Sequence, residues 1–158
     1  MGLDVSVYGN IKFAESDSDY SFEAFVISDS WKHKIKNLKE NSYYDGDCIF
    51  RGVSYGYSYH SRFREILIKL IDRIDLLKAN GEINWSELPS DISFHDFIDF
   101  ADNEGCLDWE ISEIIYSDFE KYNEKAKAEL DTRTYSVYST WMKTFESAKN
   151  NRGVVVFR

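Results

Sequence analysis

Phe63, Ile66, Leu67, Leu70, Ile71, Ile74 and Leu77 recur at helical spacing for four turns, and this run constrains the fold more than any other part of the chain. A helix with one apolar stripe has to bury it against a sheet or another helix. The stripe stops at Asn80-Gly81, which predicts a C-terminal cap there. Strand periodicity marks the two ends of the chain. Leu3, Val5 and Val7 alternate with Asp4, Ser6 and Tyr8, and Ile11 and Phe13 resume after Gly9-Asn10, the pattern of a strand that bends. Gly153 precedes a second terminal strand, Val154 to Phe157.

Between these landmarks, Phe22 to Ile27 reads as a short strand, and Asp45-Gly46 as a turn before the strand Cys48-Ile49-Phe50. Asp29 or Ser30 is placed to cap a helix that buries Trp31, Ile35 and Leu38 while Lys32, Lys34, Lys36 and Lys39 face water. Phe94, Phe97, Ile98 and Phe100 fit a short helix or a strand equally. Asp108 can cap a long helix through Ile111, Ile114, Ile115, Phe119 and Tyr122, and Tyr135, Tyr138, Trp141, Met142 and Phe145 mark a third. Together these elements predict one globular α+β domain over residues 1–158. One small, mostly antiparallel sheet would contain both terminal strands and be covered by three or four helices. Phe63, Leu67, Leu70, Ile74, Ile111, Ile115 and Trp141 are expected in one core.

Charge narrows the partners. With 28 acidic and 19 basic side chains the formal net charge is −9, which argues against direct binding to nucleic acid or anionic lipid. Cys48 and Cys106 lack a CxxC spacing or a neighbouring histidine, so no zinc site or disulfide is expected, and both should be reduced and partly buried. No run approaches the roughly 20 apolar residues of a membrane span, and the N-terminus lacks a leader pattern, so a cytoplasmic protein is expected. Gly2 with Ser6 matches a myristoylation pattern only as a common coincidence. No cofactor is expected.

Two clusters stand out against this background. Residues 97–108 crowd Asp99, Asp102, Glu104 and Asp108 around Gly105. Clustered carboxylates on a turn suit a hard cation, but with Gly105 on the calcium-loop glycine, Phe100 and Ile111 fall at ligand positions, and that template fails. The alternative is structural, with Asp102 and Glu104 ordering the turn and Asp108 capping the next helix. Upstream, Ser54 to Arg64 offers tyrosines, hydroxyls, His60 and two guanidinium groups. If this segment is extended, Tyr55, Tyr57 and Tyr59 share a face, with Ser61 as a helix cap. Arg62 and Arg64, two apart, cannot share one face of a helix, so one should point inward to the acidic turn. That predicts Arg62 or Arg64 within about 4 Å of Asp102 or Glu104. A Cys106/His60 nucleophilic pair is conceivable but has no support in spacing.

The segment Tyr57-Ser58-Tyr59-His60-Ser61-Arg62-Phe63-Arg64 resembles the Y-S-x-Y-N-x-W-R stretch of an uncharacterised family of small bacterial and phage proteins. Phe100-Ala101-Asp102-Asn103-Glu104-Gly105 is similar to that family's F-S-D-x-E-G stretch, and the Met-Gly-Leu-Asp start is similar too. His60 stands for the second Tyr, Ser61 for the Asn and Phe63 for the Trp, while Cys106-Leu107-Asp108 departs from the usual apolar-Ile-Gly. The resemblance implies where a site lies, and not its chemistry.

The expected ligand-binding residues are Tyr57, Ser58, His60, Arg62, Arg64, Asp102 and Glu104, with no catalytic or metal residue assigned. They suit a non-catalytic binding protein, an accessory or anti-defence factor of a phage or mobile element, holding a small phosphorylated ligand or a host protein. One alternative is a small hydrolase or transferase using Asp102, Glu104 and His60, with or without a metal. Another is an acidic DNA mimic built on the 108–130 helix, where Lys121, Lys125 and Lys127 interrupt the negative surface.

Overall fold

The computed structural model describes residues 2–16, 19–100 and 104–158. Strand β1 (Gly2–Phe13) buries Leu3, Val5 and Val7 on one face and bends after Gly9, where Asn10 has a φ of 51° and the pairing with β3 slips. Strands β2 (Phe22–Ala24), β3 (Ser42–Gly56), β4 (Gly105–Leu107) and β5 (Val154–Phe157) complete a sheet of order β2-β3-β1-β5-β4. Every neighbouring pair in it is antiparallel, and the terminal strands β1 and β5 lie side by side at its centre.

β3 is longer than Cys48–Phe50 because Asp45-Gly46 is not a turn: the strand runs straight through it. Gly46 is needed there for close approach, since a side chain would meet the Gly9 carbonyl oxygen at 3.0 Å and Ile11 Cγ2 at 3.1 Å.

Alternation gives the sheet two apolar faces. Leu3, Val5, Val7, Val155 and Phe157 face the main core, which is shared with helices α1 (Tyr57–Leu70), α3 (Trp109–Lys121) and α5 (Thr132–Asn150). Phe63, Leu67, Leu70, Ile111, Ile115 and Trp141 belong to this cluster as expected. Val154, Val156, Tyr44 and Cys106 face a smaller cluster under Phe22, Ala24 and Ile35. The chain after β2 crosses this second face: Phe25 carbonyl accepts from Cys106 N–H at 3.1 Å, and Lys34 carbonyl from Asp108 N–H at 2.8 Å. Residues 22–35 thereby join opposite edges of the sheet.

Several boundaries differ from the sequence expectation. α1 starts at Tyr57, directly after β3, so Tyr55 ends a strand while Tyr57 and Tyr59 lie on a helix, and Ser61 is inside the helix rather than its cap. α1 also stops early, at Leu70. Asp72, with a φ of 59°, donates to Lys69 carbonyl at 3.0 Å and Arg73 to Ile68 carbonyl at 3.1 Å, the bonding of a Schellman stop. Ile74 then falls in a 3₁₀ turn (Ile74–Leu76) and is 68% exposed, so it is not a core residue. Asn80-Gly81 does not cap a helix; it turns a small hairpin closed by the Leu77–Ile83 bridge.

The expected helix after Asp29 is a 3₁₀ helix, Asp29–Ile35, and residues 94–100 contain the single-turn helix α2 (His95–Ile98). Asp108 caps α3 as expected, accepting from Glu110 N–H at 3.1 Å and Ile111 N–H at 3.2 Å, and α3 ends before Tyr122, where α4 (Asn123–Glu129) begins. Asp131 caps α5. Both cysteines are free, but Cys48 is exposed rather than partly buried, while Cys106 is buried. No helix among the described residues is long and apolar enough to cross a membrane.

Candidate functional site

The first turns of α1 and the hairpin after it face each other across a groove. Ser61, Arg64 and Glu65 occupy positions i, i+3 and i+4 of α1, so their side chains rise on one side. Opposite them, Lys78 N–H donates to Glu82 carbonyl at 2.8 Å across the Asn80-Gly81 turn, placing these residues next to each other, and Trp85 follows in the 3₁₀ turn Trp85–Glu87. The cavity between has a volume of about 320 Å³ and is lined by Ser61, Arg64, Glu65, Lys78, Glu82, Ile83 and Trp85.

Arg64 forms its inner wall. The side chain is buried, yet the guanidinium is a strong donor that burial without acceptors would penalise heavily. Nη1 donates to the carbonyls of Ile98 at 3.2 Å and Phe100 at 3.0 Å, and Nη2 to Ser61 Oγ at 3.4 Å. Its centre lies 5.2 Å from the Trp85 ring centroid, a cation–π contact beneath a half-exposed indole. Arg64 thus ties the helix to the residues leading into the acidic segment while giving the groove a positive floor.

Behind Arg64 lies a closed aromatic network. Trp141 Nε1 donates to Tyr55 OH at 2.8 Å, and Tyr55 OH is 2.9 Å from His60 Nδ1. The Tyr55 hydroxyl accepts from the indole and has both a proton and a second lone pair for Nδ1, so the direction of that second bond follows the imidazole tautomer. Burial, and secondly the charge of Arg64, lower the His60 pKa to about 3, and burial raises that of Tyr55. His60 is therefore a neutral packing residue, in ring contact with Phe97 and Trp141.

The residues singled out from sequence are dispersed. Arg64 lines the groove. Arg62 is exposed, which bears out the split of the two arginines between inside and outside. Ser58 is exposed and Tyr57 half-buried at the start of α1, and neither lines the groove; His60 is enclosed behind it. Glu104 lines a different cavity, of about 610 Å³, with Tyr8, Tyr20, Glu23 and Arg158. Arg64 bonds to the backbone carbonyls of Ile98 and Phe100 ahead of the acidic turn, and the ion pair expected between an arginine and Asp102 falls outside the described residues. Gly105 explains itself by geometry: its φ is 140°, and a side chain there would approach Phe100 Cζ to 2.9 Å.

His60 and Cys106 do not meet. Cys106 is packed in the smaller cluster on the other sheet face, where its Sγ donates to Glu23 carbonyl at 3.2 Å and burial pushes the thiol up to about 12. Among the described residues no group of three or more His, Cys, Asp or Glu is arranged to hold a metal ion.

Sequence reasoning missed the outer wall of the groove, Lys78, Glu82 and Trp85, because the hairpin that presents them was read as the end of a helix. It also missed Lys34, expected to face water. Lys34 is fully buried between the rings of Trp31 and Phe100, at 5.5 and 5.6 Å, and donates to Asp96 carbonyl at 2.9 Å and Asp99 Oδ2 at 3.3 Å. Trp31 Nε1 donates to the same Asp99 oxygen at 2.7 Å. Burial lowers the Lys34 pKa against the pull of both carboxylates, and the cluster closes the 3₁₀ helix onto α2. No protein-family model, curated protein or solved structure matches the chain. What the chain offers for function is therefore its own geometry, an α+β domain with a polar groove at the side of its first helix.

Proposed function

We propose that this protein is a non-catalytic binding protein that holds a small phosphorylated ligand in the groove between α1 and the 77–83 hairpin. One observation carries the reading: Arg64, Lys78, Ser61 and the half-exposed indole of Trp85 converge on one cavity. Guanidinium and ammonium groups supply charge for a phosphate, the hydroxyl a further donor, and the indole a flat apolar contact. The enclosure of His60, and the position of Glu104 on another cavity, favour binding over acid–base chemistry. The resemblance of the Tyr57–Arg64 and Phe100–Gly105 segments to small bacterial and phage proteins supports a role as an accessory or anti-defence factor in a host cytoplasm. In that role the ligand is a host metabolite or the phosphorylated part of a host protein.

Arg64 is a poor place to test this, because alanine there would also strip two buried carbonyls of their donor and destabilise the fold. Lys78 and Trp85 are exposed and can be changed with little effect on stability. Small molecules released from natively purified protein should include a phosphate ester by mass spectrometry, and Lys78→Glu should lose it while melting as before. Release of no phosphate ester, or equal loading of Lys78→Glu, overturns the proposal.

A further inference from the structure

The groove is lined by two carboxylates as well as two cations. Glu65 stands on the α1 wall beside Arg64, and Glu82 on the hairpin wall beside Lys78. Both have a basic neighbour within easy reach in sequence. Glu65 precedes Lys69 by four residues, the favourable order for a helical ion pair, and Glu82 faces Lys78 across the turn. Neither pair closes: among the described residues, none of Glu65, Lys78 and Glu82 lies within 4 Å of an opposite charge. Elsewhere Arg73–Asp75 closes to 3.0 Å and Lys125–Asp72 to 2.8 Å. The groove therefore keeps Glu65, Glu82 and Lys78 facing one space beside the Arg64 guanidinium.

We infer that the phosphate ester bound here also carries a primary ammonium group, which Glu65 and Glu82 receive while Arg64 and Lys78 hold the phosphate. This rests on the groove being the phosphate-ester site proposed above. The charge pattern selects among cations. Among the described residues a divalent metal would meet only two carboxylates beside two positive charges, too little for a hard cation that takes six or more oxygen ligands. A quaternary ammonium is recognised by a cage of aromatic faces, and among the described residues Trp85 is the one aromatic side chain lining this cavity. A primary ammonium has three directional N–H donors, which two carboxylates on facing walls can accept.

Two matched pairs of probes isolate the amine: phosphoethanolamine against ethyl phosphate, and tyramine phosphate against 4-ethylphenyl phosphate, each titrated calorimetrically into the whole chain. In at least one pair the amine-bearing member should bind at least ten-fold more tightly, and the doubly substituted Glu65→Gln, Glu82→Gln protein should bind both members alike. Equal affinity within both pairs, or an advantage that survives the double substitution, overturns the inference while leaving the phosphate site standing. Failure of all four probes to bind would remove the groove reading and this inference with it.

Discussion

His60 is ionisable at ordinary pH in an unfolded chain, yet the fold holds it neutral inside an aromatic cage. Protonation would bury a charge in this cage and set it next to Arg64. The consequence for stability has a definite sign. The group titrates near 6.5 unfolded and near 3 folded, so between those values the unfolded chain binds more protons. Stability present above about pH 6.5 is lost as pH falls toward 3, by about 2 kcal/mol at pH 5 on the linkage relation. His60→Asn, whose side-chain amide can accept from or donate to Tyr55, should lessen the fall in urea-derived stability between pH 7 and pH 5 by about that amount. An identical fall in both proteins would show that His60 does not titrate in this way. Arg64 is the opposite case, a charge that is kept because backbone carbonyls and an indole replace water around it.

At the scale of elements, the end of α1 shows what periodicity can and cannot carry. The apolar stripe continues through Ile74 and Leu77, but the helix stops at Leu70 because Asp72 adopts the left-handed conformation that glycine usually provides. Nothing in the hydrophobic pattern signals an aspartate in that role. Leu70→Ala should cost roughly 2–5 kcal/mol, as for other buried leucines, whereas Ile74→Ala should stay within about 0.5 kcal/mol of the parent. Chemical denaturation of the two variants checks the boundary, and comparable losses would restore the longer helix. The same early stop hid the site. That one of Arg62 and Arg64 turns inward was legible from their spacing, though not which, but Lys78, Glu82 and Trp85 become a wall only once Asn80-Gly81 is seen to turn a hairpin. Lys34 was illegible for another reason. Its burial depends on Asp96 and Asp99, distant in sequence, and on rings from two segments, none of which a local pattern encodes. The caps at Asp108 and Asp131 act through their own helices, which is why Asp108 could be assigned from sequence.

For the whole molecule, the decisive feature is that the first and last strands form the middle of the sheet. β5 pairs with β1 on one side and β4 on the other, and each of its residues is buried, alternating between the two cores. The outer edge is protected differently. Beyond Tyr44, β3 has no strand neighbour on its outer side among the described residues, and register slips opposite Asp4/Ser6 and Val7/Tyr8 mark irregularities of the kind that kink an edge against further pairing. Central and peripheral strands should therefore differ sharply in importance. Burying the side chains of Val154, Val155, Val156 and Phe157 contributes on the order of 6–12 kcal/mol at 1.5–3 kcal/mol each, which matches the whole stability of about 5–15 kcal/mol typical of a domain. Ending the chain after Gly153 should consequently abolish the cooperative urea transition and the near-ultraviolet circular dichroism of the packed aromatic core, because both cores open and β1 and β4 lose their shared partner. Retention of a cooperative transition in the shortened chain would mean that the helices and the β1–β3 pair hold the core without β5. The sheet would then be organised from its long outer ribbon rather than from its centre.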